Sequence, residues 1–432
     1  PMKRLFIRQD QIYTGPLTYI LALLHKNKSW PLQWVHQKAD ADLIFDHEDT
    51  LSLPINLPFF ESLLQKKVFS HTSYFHGAPL LKFPGSDQPD WLGTAFYMVN
   101  ACQEYLSGNP SATAQVPVDQ YGRFPFEHSY QQKFGVITQN LVQTYLDSFC
   151  AVHFPASDNA TKKRSTRVFL SHDIDTIHGS FLQDGKWALK KGRLDIVMKL
   201  VMNEILRKPH WRNIDKIAQL HSEHDLKSTF FWLATQQVGS NGVKNADYST
   251  DQLKSLLRFT ESNGLHKSCN GTNFREELQL LPFETTLNRY HFLKFGLPAS
   301  WKELEESGVT LDASLGFAEH YGFRNSYGLP YQPYNFETGK AFNFVEVPLN
   351  VMDGTLQRYM QVPLKETASR IIGFLSEHPT DAVVSILWHN TFFTNYKYGG
   401  YLEEYKKVLL YLLEQGILSI TPQEILTEFT HG

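Results

Sequence analysis

From residue 165 onward, short apolar runs alternate with segments of helical periodicity, and no other feature constrains the fold as tightly. The runs at 168–171, 228–233 (STFFWL), 264–266, 309–312, 342–348 and 383–388 (VVSILW) read as buried strands. Apolar residues at helical spacing predict helices over 213–224, 251–263, 282–295, 301–307 and 364–377. Strands that alternate with helices pair in parallel through right-handed crossovers. The pattern predicts an α/β fold with a (β/α) barrel, distorted or incomplete, over 158–432. A doubly wound open sheet is the alternative.

The N-terminal part, 1–157, holds an alternating run (KRLFIRQ), a short apolar run (ADLIFD), a helix expected over 91–106 and an amphipathic segment at 140–149. It reads as a separate, smaller α/β domain. The polar, basic stretch ASDNATKKRS at 156–165 marks the boundary. With 42% hydrophobic residues, the 432-residue chain has ample material for a large core. Aromatics at 14% fit a sugar-binding surface and an aromatic core equally.

The formal charge of −3 gives no global pull toward nucleic acid or anionic lipid. A basic cluster at 186–193 (KWALKKGR) reads as a solvated helix face. Three cysteines with no CxxC argue against a disulfide framework or a structural zinc finger. No stretch approaches the roughly 18 apolar residues of a membrane span. The first residues lack a long apolar segment and a small-residue cleavage site, so no signal peptide and a cytoplasmic setting are expected.

Polar residues recur where the strands run out: Asp173 and Asp175, His266, Asp312 and His389. In barrels and open α/β sheets, sites gather at the carboxyl ends of strands. In RVFLSHDIDTIHGS, two carboxylates two residues apart follow a buried strand, with His172 and His178 nearby. Clustered carboxylates repel and are costly to desolvate, so a metal or a cationic side chain is expected beside them. A strand followed by Asp-x-Asp opens the haloacid-dehalogenase-like phosphatases, in which the first Asp is a nucleophile. Their later paired-acid motif has no counterpart after VVSILW, which ends in His389 and Asn390.

More of the chain resembles the polysaccharide deacetylase superfamily, the NodB-like relatives of carbohydrate esterase family 4. The resemblance covers about 165–425 and rests on four stretches in family order: His172-Asp173-Ile174-Asp175, ESNGLHKS from Glu261 to Ser268, Arg289-Tyr290-His291-Phe292, and Leu387-Trp388-His389. DASLGFAEHYGFR, VPLNVMDGTL and ILWHNTFF resemble a bacterial subgroup. FYMVNACQEYL and DQYGRF resemble the extra domain that often precedes the deacetylase domain there. The resemblance implies a metal-dependent hydrolase that removes an N-acetyl or related acyl group from a carbohydrate in surface polysaccharide synthesis or modification. It implies one divalent metal ion, zinc or another transition metal, held by Asp175 and His266. Asp173 would be the base, Arg289 would orient it, and His389 would be the acid.

Two departures follow. Asn270 stands where the family has its second metal-binding His, and an amide oxygen is a weak transition-metal ligand. Asn270 as third ligand predicts a weak site; His172, His178 or Asp173 completing the shell is the alternative. Cys269 is a further possible ligand, although a small buried thiol is the simpler reading. His291 and Phe292 stand where the family has Pro and Tyr, which alters the substrate-facing wall and can add an imidazole. Arg324 is a candidate for a substrate anion or for an ion pair with Asp312 or another acid. Trp388 is a candidate sugar platform or a support under His389. Glu346 reads as a strand-end surface acid, Asp353 as a turn residue, and His178 and His320 as surface histidines. A carbohydrate-binding relative without catalysis is the competing function.

Overall fold

The computed structural model describes residues 2–28, 32–105, 118–154, 163–179, 181–208, 211–238, 245–269, 273–394 and 396–430. The N-terminal part is built on a parallel sheet of β1 (Lys3–Ile7), β2 (Leu32–Trp34) and β3 (Leu43–Phe45), in the order β2-β1-β3. The alternating run and LIF supply β1 and β3. β2, only three residues long, carries no period to read in the sequence. Three longer helices accompany the sheet: Thr14–Lys28, Trp91–Val99 and Leu141–His153. The second begins where the Asp90 carboxylate accepts from the Gly93 amide at 2.8 Å. It ends at Val99, seven residues short of expectation; Leu106 lies outside the described residues.

The rest of the chain forms an eight-stranded sheet in which every pairing is parallel. β4 (Arg167–Ile174) lies inside the sheet. β5 (Ser228–Trp232), β6 (Ser262–Lys267), β7 (Leu287–Tyr290) and β8 (Leu311–Asp312) add outward in turn. A short antiparallel pair, β9 (Tyr334–Asn335) and β10 (Lys340–Ala341), precedes β11 (Val345–Glu346), β12 (Leu349–Met352) and β13 (Val383–Leu387). The full order is β11-β8-β7-β6-β5-β4-β13-β12.

Only Val347 and Pro348 separate the two edge strands, β11 and β12. A flat sheet of eight strands would hold its edges roughly 33 Å apart, at about 4.8 Å per step. Two residues cannot span that distance, so the sheet must curl. The segment 345–352 lies along β8 with its first half and along β13 with its second, and so stitches the two edges together. The result is a curled, mostly parallel sheet of the kind a distorted (β/α) barrel requires, rather than a doubly wound open sheet.

Two expectations for elements fail in instructive ways. The helix expected over 282–295 is in fact β7 followed by a short 3-10 turn, His291–Leu293. Leu287, Tyr290 and Leu293 sit at helical spacing, but a four-residue strand is too short to display its own period. Two helices, Phe181–Lys190 and Leu194–Ile205, form a hairpin between β4 and β5, where only a basic helix face was expected.

The proposed boundary at 156–165 falls largely outside the described residues. The two parts share one apolar core that includes Leu5, Phe96, Phe231, Leu311 and Phe429. Polar ties cross between them as well. Tyr19 Oη donates to Gln332 O at 2.8 Å, and the Tyr334 amide donates to Asn100 Oδ1 at 2.8 Å. Among the described residues, no helix is long and apolar enough to cross a membrane.

Candidate functional site

Side chains two apart on a strand share a face. Asp173 near the end of β4 and Asp175 just beyond it therefore lie together at the carboxyl rim. His266 on β6 and Arg289 on β7 are register partners, which brings them side by side. His291 follows Arg289 by two residues, as Asp175 follows Asp173. Moving 287–290 from helix to strand is what carries His291 to this rim. His389 leaves the end of β13, two strands from β5 through β4.

These residues converge. His266 Nε2 is 3.3 Å from Asp175 Oδ1 and 3.5 Å from Asp173 Oδ2. His291 Nε2 is 3.7 Å from Asp175 Oδ1, and His389 Nε2 is 4.0 Å from Asp175 Oδ2. Asp173 Oδ1 faces an Arg289 guanidinium nitrogen at 3.4 Å.

One ligand-type atom from each of Asp175, His266 and His291 lies within 4.8 Å of the others. His266 Nδ1 is 3.0 Å from Arg289 O, so the ring donates there and turns Nε2 toward Asp175. Despite their short separation, His266 Nε2 and Asp175 Oδ1 do not meet in hydrogen-bond geometry, and both are buried without a hydrogen-bond partner. Orphaned buried polar atoms are rare and need an explanation. A divalent cation between one carboxylate and two imidazoles would satisfy both, and this donor set suits zinc or a similar metal.

Electrostatics follow from burial and neighbours. Burial alone would raise the Asp175 carboxyl, but His291 and His266 hold it well below the usual range. Burial pushes His291 down to about 4, only partly opposed by Asp175, so it is neutral at pH 7. Burial disfavours charge on His266 too, yet Asp173 and Asp175 outweigh it and raise its pKa. His389 goes furthest: against burial, the carboxylates of Asp353, Asp175 and Asp173 lift it to about 10. Asp353 Oδ1 is 2.7 Å from His389 Nδ1, and Asp353 Oδ2 accepts from the His389 amide at 2.5 Å. Asp353 is fully buried, so it is the support of His389 and more than a turn residue.

Arg289 is fully buried. Its Nε donates to Ala313 O at 2.9 Å, and its guanidinium lies 4.8 Å above the Phe231 ring. Gly264 makes this stacking possible. A Cβ there would sit 2.6 Å from the Phe231 ring carbons. Behind Arg289 lie two more buried acids. Asp312 accepts from Asn288 Nδ2 at 2.6 Å, and Glu346 accepts from Trp301 Nε1 and the Leu315 amide, each at 3.1 Å. Burial and Asp312 drive the Glu346 pKa well up, while burial lifts Asp312 to about 6. Glu346 is therefore an interior group, contrary to its reading as a surface acid.

Several sequence candidates lie elsewhere. Arg324 is buried and ion-paired with Glu104, with Nε–Oε1 at 2.8 Å and Nη2–Oε2 at 2.5 Å, so it is not presented to a substrate or to Asp312. Trp388 is fully buried 5.1 Å from the Tyr405 ring, which leaves no face for a sugar. His172 points away from the centre: Nδ1 lies 2.7 Å from Trp388 O, and its ring stacks on His221. His178 pairs with Gln252 at 2.9 Å, and His320 with Tyr321 O at 2.7 Å. Cys269 is buried and lies outside the cluster. Asn270 lies outside the described residues; His291 occupies the third position in the cluster.

No protein-family model matches the chain, and no curated protein matches it. Solved structures align in part. A protein from Bordetella bronchiseptica assigned as a polysaccharide deacetylase involved in O-antigen biosynthesis aligns at 16% identity and a TM-score of 0.32, covering 61% of this chain and 88% of its own. A Mycobacterium smegmatis protein assigned as a polysaccharide deacetylase aligns at 12% identity and a TM-score of 0.37, covering 62% and 91%. The 4-alpha-glucanotransferase of Thermococcus litoralis aligns at 14% identity and a TM-score of 0.34, covering 62% and 41%. Likenesses of this extent assign neither a family nor an activity.

Proposed function

We propose that the chain is a metal-dependent hydrolase that removes an N-acetyl or related acyl group from a carbohydrate, in the synthesis or modification of surface polysaccharide. The observation that carries the proposal is the cluster of Asp175, His266 and His291, with its orphaned ligand atoms, between an Asp173–Arg289 pair and a His389–Asp353 pair. The carbohydrate class rests on the motif resemblance alone.

Asp175, His266 and His291 would hold the ion, with His291 taking the place expected of Asn270. A divalent cation there supplies Lewis acidity and lowers the pKa of a bound water. Asp173 accepts the proton of the attacking water. Arg289 fixes the Asp173 carboxylate in orientation. As the carbonyl C–N bond breaks, His389 Nε2–H gives its proton to the departing amine. Asp353 holds His389 protonated and fixes its ring, which suits a general acid at neutral pH. The products are the free amine and a carboxylate.

The test is to titrate zinc, cobalt and manganese into wild type, His291→Ala and Asp175→Ala by calorimetry, and to assay acetate release from N-acetylated hexosamine oligomers. Tight binding by wild type alone, with acetate release, is expected. Metal binding without turnover of any glycan supports a non-catalytic carbohydrate-binding relative. Absence of metal binding in all three proteins overturns the proposal. Trapping of a phosphoaspartate mimic on Asp173 by beryllium fluoride would point to phosphatase chemistry instead.

A further inference from the structure

The helical hairpin between β4 and β5 plays no part in the site chemistry, yet its surface is unusual. The second helix buries Ile196 and Leu200 against the first. Its outward side carries a second apolar stripe at helical spacing. Leu194 is 65% exposed, Met198 69%, Met202 52% and Ile205 69%. Isolated exposed apolar residues are ordinary, but a continuous stripe on a short helix needs a partner. The same 28 residues, 181–208, contain seven Lys or Arg against three Asp or Glu, a net +4 in a chain whose overall charge is −3. Exposed Lys190, Lys191, Lys199, Arg207 and Lys208 flank the stripe.

We propose that this hairpin is a docking surface for an anionic lipid bilayer. A helix with apolar side chains along one side and cations beside them lies in the plane of a membrane interface, apolar groups inserted and charges at the headgroups. Long Lys and Arg side chains suit this, because their stems lie on apolar surface while the charges stay in water. A second copy of the chain fits poorly: a symmetric pairing would set +4 against +4. The location gives the docking a purpose. The hairpin begins seven residues after Ile174, in the connection that leaves the rim of β4. Its Asn203 Nδ2 donates to Tyr396 Oη at 3.1 Å, and Tyr396 lies seven residues beyond His389. A bilayer against the stripe would lie beside the mouth of the site.

The experiment uses the full chain and vesicles of phosphatidylcholine with or without phosphatidylglycerol, followed by co-sedimentation. Wild type is expected to bind only the anionic vesicles and to release as salt rises. Lys190→Gln with Lys191→Gln should weaken binding roughly 30-fold, at about 1 kcal/mol for each cation removed. Met198→Ser with Ile205→Ser should weaken it too, with unchanged circular dichroism, because both side chains are largely solvent-exposed. Wild type that ignores anionic vesicles at low salt overturns the proposal, as do variants that bind like wild type. A wild-type dimer that the Met198→Ser, Ile205→Ser variant splits by light scattering assigns the stripe to a second copy and overturns it as well.

Discussion

His291 is buried, neutral at pH 7 and aimed at Asp175, whereas Asn270 offers only an amide. His291→Ala is therefore expected to weaken zinc binding by more than about 100-fold, since loss of even a supporting partner costs 10–100-fold. Asn270→Ala should leave affinity nearly unchanged. Calorimetry on the two variants checks this, and the reverse result would restore the ligand set implied by the motif. At His389 the question is the proton. In metal-free protein its ring should titrate near pH 10, and in Asp353→Asn about 1–3 pH units lower, measured by NMR. The sign for stability follows from a raised histidine pKa. The contribution is fully present below about pH 6.5 and is lost as pH rises through about 10. Asp173, Asp175, His266, Arg289 and His389 were all legible as candidates, because motif order and strand ends survive in a linear sequence. Asp353 and Glu346 were not legible as partners. Their significance lies in which side chain they face across the sheet, and no local spacing encodes that. Arg324 and Trp388 misled because an arginine or a tryptophan near a motif looks the same whether it faces solvent or core.

Elements place these groups, and small residues decide whether they can. Gly264→Ala would drive a methyl into Phe231, the ring on which Arg289 stacks. Overpacking of this kind costs about 1–3 kcal/mol. It should lower hydrolytic turnover as well, because the arm that holds Asp173 shifts; urea unfolding and acetate release check both. At the start of helix Trp91–Val99, Asp90 is buried and its pKa rises to about 6, with burial as the main cause and the Gly93 amide opposing it. A raised carboxyl favours the folded state while it is protonated, so its contribution is best below about pH 4 and falls as pH rises through 6. Asp90→Asn keeps an acceptor for the Gly93 amide and removes the charge. It should match wild type below pH 4 and exceed it above pH 6 by up to about 3 kcal/mol, at 1.36 kcal/mol per pH unit. Chemical denaturation at pH 4 and pH 7.5 decides the matter. The alternation of elements was legible from residue 165 onward, since long helices and five-residue apolar runs display their periods. β7, β11 and β12 were blurred, because two to four residues show no period and their pairing partners are distant in sequence.

At the scale of the molecule, the N-terminal part and the curled sheet are fastened together by a common core and by the buried Glu104–Arg324 pair. Glu104→Ala leaves a guanidinium buried without its counter-charge, which typically costs 3–5 kcal/mol. If the shared core makes the two parts unfold together, a single transition should move to lower urea by that amount. Two separated transitions would instead favour independent domains. The seam that closes the sheet carries a further consequence. Glu346 lies behind the arm that holds Asp173, and Asp353 lies behind His389, yet only the six residues 347–352 of one connecting segment separate them. The supports of the proposed proton acceptor and of the proposed proton donor thus hang from the same strip of backbone. A slip of that strip by one residue would turn both acids to the wrong side at once. A half-assembled pocket is then not an available state: in hydrogen exchange, the amides of Leu315 and His389, which these two acids hold, should open together, as a clasp does.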